Sequence, residues 1–216
     1  MPHSWHYPTG PMLAAIARLQ PASVFEIGVG YGKWGFLARE VLDWNLGRLE
    51  RADWRTRIDG VEVFPYQSPL HDWVYDDVRL ADAVDVVDDI SGYDLVIMSD
   101  VIEHLDKAVA LDLVRRILRT NRNMLISTPL DFFDQEIAEN EHEHHVSHWT
   151  LADFDEFTFD AETAGGAALV VLLAGAGASW PTARDKRASR VALGLPYVGT
   201  RASLARVVKR ALGSGG

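Results

Sequence analysis

The apolar positions of this chain switch repeatedly between two spacings. "GPMLAAIARLQP" places Met12, Leu13, Ile16 and Leu19 on one side of a helix that Pro21 closes. "SVFEIG" is instead a continuous apolar run stopped by Gly28, which predicts a buried strand, and "KWGFLAREVLDW" returns to helical spacing. Further along, "RIDGVEV" predicts a strand, "LHDWVYDDVRLAD" a strand near Val74 to Val78, and "YDLVIMSDV" a nearly all-apolar strand. "LDKAVALDLVRRILRT" follows with Val109, Leu113, Ile117 and Leu118 at helical spacing, and "NMLIST" is a short strand ended by Pro129. Apolar strands separated by helices imply an α/β fold, Rossmann-like and doubly wound, with a mostly parallel sheet covered by helices on both faces. Such sheets bind ligands at the carboxyl ends of their strands, so the chemistry is sought there.

Composition narrows this picture. With 216 residues, 48% of them apolar, the chain can bury one substantial core. We expect a single domain over residues 1–175 and a separate tail over 176–216. The longest apolar run, "AALVVLLAGAGA", is broken by glycines and falls short of the ~18 residues that span a bilayer, so no transmembrane segment is expected. The opening "MPHSWHYPTGPM" lacks the basic start and apolar stretch of a secretory signal, and the chain has no cysteine, which points to a cytoplasmic setting.

The net charge of -10 is unevenly spread. Asp185 is the single acid after residue 175, a region rich in Lys and Arg, so an acidic body precedes a basic tail. An acidic body argues against duplex nucleic acid as a partner, because neutralising phosphates requires a basic footprint. In the tail, "SLARVVKRAL" aligns Leu204, Val207, Val208 and Ala211 on one helical face, with Arg206, Lys209 and Arg210 elsewhere. Such a basic amphipathic helix suits an anionic membrane surface, a partner, or the acidic body itself, the last being the plain expectation.

The stretch "VFEIGVGYGKWGFLARE", Val24 to Glu40, sits where the first strand meets a helix. Glycines there permit positive φ and close approach of a ligand, and the helix N-terminus offers N–H groups to an anion. A dinucleotide is one occupant, since Gly30, Gly32 and Gly35 satisfy G-x-G-x-x-G, and this keeps an NAD(P)-dependent oxidoreductase as an alternative. The other is S-adenosylmethionine. Glu26 favours it, because a carboxylate beside the loop repels a pyrophosphate and attracts an ammonium.

"FEIGVGYG" resembles the E-x-G-x-G-x-G motif of class I S-adenosylmethionine-dependent methyltransferases, a likeness that extends roughly from Pro21 to Ala174. It implies a seven-stranded sheet ending in an antiparallel hairpin, with "AALVVLLAG" as the last strand and "DFDEFTFDAETAGG" as a shortened version of what usually precedes it. It also implies a cofactor site. Glu26, Gly28, Gly30 and Gly32 would surround the methionine end, Glu62 would hold the ribose hydroxyls, Asp82 and Ala83 would meet the adenine, and Ser99 and Asp100 would lie beside the methyl donor. A methyltransferase-like module that binds without turnover is the non-enzyme alternative.

Acceptor-side candidates crowd two places. "SDVIEH" carries Asp100, Glu103 and His104 at a spacing that one helical turn brings to one face, and "ENEHEHHVSHWT" carries His142, His144, His145 and His148. Both segments are similar to a pattern in some ubiquinone-pathway O-methyltransferases and small-RNA 2′-O-methyltransferases that bind a divalent ion. That resemblance implies Asp100, Glu103, His104 and His145 as candidate metal ligands, a set suited to Mn²⁺, Fe²⁺ or Zn²⁺ better than to Mg²⁺. Without metal, His104 or His145 is the candidate general base, assisted by Asp100, since imidazole removes protons near neutral pH. Trp149, Phe132 and Phe133 would form an apolar wall, and "HSWHYP" a lid. The expected reaction is O-methylation of a small polar metabolite or a glycan sugar.

Overall fold

The computed structural model describes residues 5–135 and 140–178. The basic tail helix expected near residues 203–212 lies outside them. Helix α1 (Thr9–Leu19) is followed by β1 (Ser23–Ile27), α2 (Lys33–Leu42), β2 (Arg57–Glu62), α3 (Pro69–Val74), β3 (Asp77–Leu80) and β4 (Leu95–Ser99). Helix α4 (Lys107–Thr120), β5 (Asn123–Pro129), β6 (Phe159–Ala164) and β7 (Ala168–Ala174) follow within the described residues. The strands form one seven-stranded sheet in the order β3-β2-β1-β4-β5-β7-β6. β1 to β5 are parallel to one another, whereas β7 runs antiparallel between β5 and β6.

The sheet is covered on both faces, so its central strands are apolar throughout. In β4 every residue from Leu95 to Ser99 is buried. Phe25, Ile27, Val96 and Met98 pack with Leu113, Val114 and Ile117 of α4 on one face, and Val24, Leu95 and Ile97 pack with Met12, Ile16, Trp34 and Ala38 of α1 and α2 on the other. Side chains of this size contribute about 1.5–3 kcal/mol each when fully buried. Helix α4 presents Ala110, Leu113, Val114, Ile117 and Leu118 inward, while Val109 is exposed. Leu113, Ile117 and Leu118 are therefore buried as expected, and Ala110 and Val114 join the stripe where Val109 does not.

Two local expectations change. The strand expected near Val74 to Val78 is preceded by helix α3, which Ser68 caps by accepting the Leu70 N–H and which Pro69 starts, so β3 begins at Asp77. "DFDEFTF" is indeed shortened: Leu151–Phe154 makes only a 3-10 turn before β6. No described helix is long and apolar enough to cross a membrane.

Candidate active site

β1, β2 and β4 are parallel neighbours, so their carboxyl ends open at one edge of the sheet, where the pocket of interest lies. The glycine loop forms its floor. Gly28, Gly30 and Gly32 all have positive φ. A Cβ on Gly28 would stand 2.4 Å from Val101 Cγ2, so the β1 and β4 loops touch only because this residue is glycine.

Glu26, near the end of β1, is buried and lines the pocket. Its Oε2 accepts the Tyr75 hydroxyl at 2.5 Å, and the Tyr75 oxygen accepts the Gly35 N–H at 3.0 Å. A Cβ on Gly35 would stand 2.2 Å from Tyr75 Cζ, so the third glycine of "GYGKWG" serves to admit this ring rather than to cradle a phosphate. Burial pushes the Glu26 carboxyl up to about 8; the Tyr75 and Gly35 hydrogen bonds oppose this, nearby Glu62 adds to it, and Lys33 makes the smallest contribution.

Glu62 ends β2. Its Oε2 accepts the Gly30 N–H at 2.7 Å and its Oε1 the Phe64 N–H at 2.9 Å. Two backbone bonds hold the carboxylate in place, and the lone pairs that remain can accept a pair of hydroxyls. Beyond β3, Asp82 caps its own turn by accepting the Val84 N–H at 2.8 Å, and Asp82 and Ala83 lie on the pocket wall with Ala81.

At the end of β4 the backbone bends sharply. Asp100 adopts φ 52, which departs from the helical turn that the spacing suggested and restricts the following turn to Ile102–His104. Its Oδ1 accepts the Ser127 hydroxyl at 3.1 Å and its Oδ2 the Trp5 N–H at 3.1 Å. Because Ser127 gives its proton to Asp100, the 2.7 Å contact between Ser99 Oγ and Ser127 Oγ is donated by Ser99.

Glu103 and His104 leave this short turn toward the histidine loop, which Glu103 also anchors: its carbonyl accepts the N–H groups of Val146 at 2.9 Å and Ser147 at 3.0 Å. The Glu103 side chain is buried, with Oε2 accepting the Thr128 hydroxyl at 3.1 Å and Oε1 lacking any hydrogen-bond partner. Burial first, and Asp100 second, hold its carboxyl well above the usual range. His104 Nδ1 lies 3.0 Å from the His144 carbonyl and His145 Nδ1 lies 3.0 Å from the Phe133 carbonyl. A carbonyl only accepts, so both Nδ1 atoms carry protons, and in the neutral rings both Nε2 atoms present lone pairs. Burial lowers the pKa of both imidazoles and favours that neutral form.

Donor atoms of Glu103, His104 and His145 lie within 4.8 Å of one another. Asp100, the fourth expected ligand, is not in this group; its carboxylate is occupied by Trp5 and Ser127. Of the other histidines, His142 lines the pocket, His144 contributes its carbonyl, and His148 Nε2 bonds the Leu130 carbonyl at 2.8 Å. Trp149 belongs to the core: it is 1% exposed and its indole N–H reaches Ser147 Oγ at 2.8 Å and the Ile102 carbonyl at 3.2 Å, which buttresses the Ile102–His104 turn from beneath. The apolar wall is built by Phe133 and Trp5, stacked with centroids 5.5 Å apart, while Phe132 is half exposed beside His145.

Sequence reasoning missed Tyr75, Tyr66, Lys33 and Thr128. Tyr66 donates to Glu143 Oε1 at 2.9 Å and accepts from Asn140 at 2.7 Å, so it ties the loop after β2 to the histidine loop. None of these residues carries a local pattern, although the position of Lys33 inside the glycine stretch was a signal available to read.

The structural neighbours share this architecture at low identity. The N-terminal domain of EvdMO1, solved with SAH bound, is 16% identical, with 80% of this chain and 82% of that chain covered and a TM-score of 0.51. The methyltransferase domain of bacterial CtHen1-C is also 16% identical, with 78% and 96% covered and a TM-score of 0.52. An O-methyltransferase family protein from Burkholderia thailandensis is 12% identical, with 78% and 57% covered and a TM-score of 0.51. No curated protein matches the chain. A family model described as a methyltransferase domain matches residues 5–177, which supports the methyl-donor reading over the nicotinamide alternative: the chain belongs to the S-adenosylmethionine-dependent methyltransferase family.

Proposed function

We propose that this methyltransferase moves the methyl group to a hydroxyl oxygen of a small neutral acceptor, a sugar or a comparable polyol. The observation that carries the reading is the convergence of Glu103, His104 and His145 beside the donor pocket, with one buried carboxylate oxygen unpartnered and two imidazole lone pairs available. In the transfer, the acceptor oxygen forms a bond to the methyl carbon as the carbon–sulfur bond breaks, the sulfonium becomes a thioether, and the hydroxyl proton passes to Nε2 of His104 or His145. Imidazoles that burial keeps neutral are suited to receive it. Asp100, fixed by Trp5 and Ser127 on the donor side, sets the boundary between the two halves of the site.

The same three residues fit a divalent ion. Two imidazole nitrogens and one carboxylate oxygen are donors for Mn²⁺, Fe²⁺ or Zn²⁺, and the orphaned Glu103 Oε1 is the kind of buried atom that a cation satisfies. When bound, such an ion would lower the pKa of the acceptor hydroxyl.

Charge narrows the acceptor. Besides the buried Glu26 and Glu103, whose carboxyls burial pushes up, the pocket is lined by Glu62, Asp82, Asp100 and Glu143, and Lys33 is the only Lys or Arg among its described lining residues. This surface attracts the cationic methyl donor and repels phosphorylated acceptors. Among the relatives by fold, EvdMO1 was also crystallised in the presence of SAH and D-fucose, which is consistent with a sugar-sized acceptor. The test is methyl transfer from labelled S-adenosylmethionine to a panel of neutral sugars and polyols, sugar phosphates and RNA oligonucleotides, with products identified by mass. Methylation of neutral hydroxyl compounds is expected. Transfer confined to phosphorylated sugars or RNA would overturn the charge argument.

A further inference from the structure

The pocket lies at the carboxyl edge of the parallel strands, and the opposite edge carries an apolar surface that the methyl-transfer chemistry does not use. Helix α2 runs back from the glycine loop and delivers Trp44 to that edge, where Trp54 leads into β2 and Trp73 stands in the last turn of α3. The Trp44 ring lies 5.6 Å from Trp73 and 6.1 Å from Trp54, centroid to centroid. Trp73 is 50% exposed, and Leu46 and Leu49, in the turn and loop after Trp44, are 53% and 69% exposed. The other exposed large apolar side chains of the described residues lie on residues 5–7 and the pocket loops, at the end of β3, or singly on α4. A contiguous group of this kind, remote from the pocket, is the signature of a contact surface.

Its border selects the partner. Glu40, Glu50, Asp53 and Asp72 are exposed beside these side chains, and none of them is in an ion pair among the described residues. Arg48 is paired with Asp43 at 2.7 Å, and Arg51 bonds the Asp72 and Trp73 carbonyls at 2.7 and 3.2 Å. Arg51 and the exposed Arg55 offset part of the acidic charge and leave carboxylates in excess. An isologous contact with a second copy would set these carboxylates against one another, and an anionic lipid surface would meet them directly. The surface suits a segment that is both apolar and basic.

The chain itself carries such a segment. In residues 203–212, Leu204, Val207, Val208 and Ala211 recur at helical spacing beside Arg206, Lys209 and Arg210. Because β7 is antiparallel to β5, the chain leaves the sheet at the same edge as the tryptophans, with the Gly175 N–H on the Arg122 carbonyl at 2.8 Å and the Ala176 N–H on the Leu118 carbonyl at 3.0 Å. From β7 to β2 the distance is four strand spacings, on the order of 20 Å, whereas residues 179–202 can extend to on the order of 70 Å. A tether of that reach holds the segment at an effective concentration on the order of 1 mM, so even a weak contact is populated. We propose that residues 203–212 dock in cis on the surface formed by Trp44, Leu46, Leu49 and Trp73, with their basic side chains against Glu40, Glu50, Asp53 and Asp72. Docking there braces the ends of α2 and α3 and leaves the pocket open at the opposite edge.

Hydrogen exchange followed by mass spectrometry on the full chain tests this through reciprocity. Val207→Asp, in the tail, should speed exchange of residues 44–54 by roughly 10-fold, the factor for a segment whose affinity is about tenfold stronger than its effective concentration requires. Leu49→Asp, at a side chain exposed enough to leave folding intact, should speed residues 203–212 comparably. High salt should act in the same direction, and S-adenosylhomocysteine affinity should stay unchanged in both variants. Effects confined to the segment that carries each substitution would overturn the proposal. So would protection of residues 44–54 that rises with protein concentration alongside a dimer mass in light scattering, which would assign the surface to a second copy. Protection of residues 203–212 that requires vesicles of phosphatidylcholine and phosphatidylserine would overturn it in favour of a membrane.

Discussion

Replacing Glu26 with glutamine separates what this residue does for the fold from what it does for the cofactor. The side chain is 2% exposed, and its carboxyl titrates at about 8 rather than at the usual 4.5. Each unit of that shift corresponds to about 1.36 kcal/mol. An acid whose pKa is raised by folding stabilises the folded state fully below its unfolded value, and that contribution is lost as pH rises through the folded value. Between pH 5 and pH 9 the wild type should therefore lose about 4 kcal/mol that a neutral side chain does not lose. Glutamine keeps an oxygen to accept the Tyr75 hydroxyl and never ionises. Urea unfolding of both proteins across this range isolates the effect, since other titrating groups are common to the pair. The stability advantage of Glu26→Gln should grow by about 1.4 kcal/mol per pH unit up to pH 8 and then level off. The same substitution should weaken S-adenosylhomocysteine binding, because an ammonium beside Glu26 favours the ionised carboxylate and glutamine offers it no charge. A stability difference that stays flat with pH would refute the reasoning.

Two other predictions address the ribose and the acceptor side. Glu62→Ala should weaken S-adenosylhomocysteine by about 1.5–3 kcal/mol in calorimetry, and adenosine in parallel, since both present the ribose hydroxyls; unchanged affinity would remove Glu62 from the site. If Glu103, His104 and His145 hold a metal, purified protein should contain it near stoichiometry by elemental analysis, and a chelator should abolish turnover while sparing cofactor binding. If a histidine acts alone, chelation should do nothing, and His104→Ala or His145→Ala should lower turnover by about 10²- to 10⁴-fold at unchanged cofactor affinity.

The sheet was legible because its signals are local. "SVFEIG", "YDLVIMSDV" and "NMLIST" are buried on both faces, so their apolar runs leave little choice of element, and the strand ends carry Glu26, Glu62 and Ser99 wherever the flanking helices pack. The strand expected near Val74 to Val78 starts late, at Asp77, for a local reason too: the Ser68 cap and Pro69 start a helix that ends at Val74, and the apolar pattern did not register it. Asp100 shows a different limit. Spacing places it on one face with Glu103 and His104 only if the backbone is helical from residue 100 onward, and a left-handed Asp100 removes that premise. Tyr75 and Tyr66 were not legible at all, because each acts across the fold, 49 residues from Glu26 and 77 from Glu143.

Those long-range contacts explain how a site made on separate loops can act as a unit. Trp5 joins the donor and acceptor sides: its N–H holds Asp100, its carbonyl holds Lys33, and its ring stacks on Phe133, whose carbonyl fixes the His145 tautomer. Tyr66 makes a second bridge from the Glu62 loop to Glu143, two residues before His145. Lys33 and Glu62 both line the pocket, and each is thus tied to a bridge that leads toward His145. Because Phe133 and His145 sit on loops rather than strands, their alignment depends on these contacts more than on the sheet. These bridges link order on the donor side to order on the acceptor side, which suits an in-line methyl transfer, where donor sulfur, methyl carbon and acceptor nucleophile must be collinear within narrow limits.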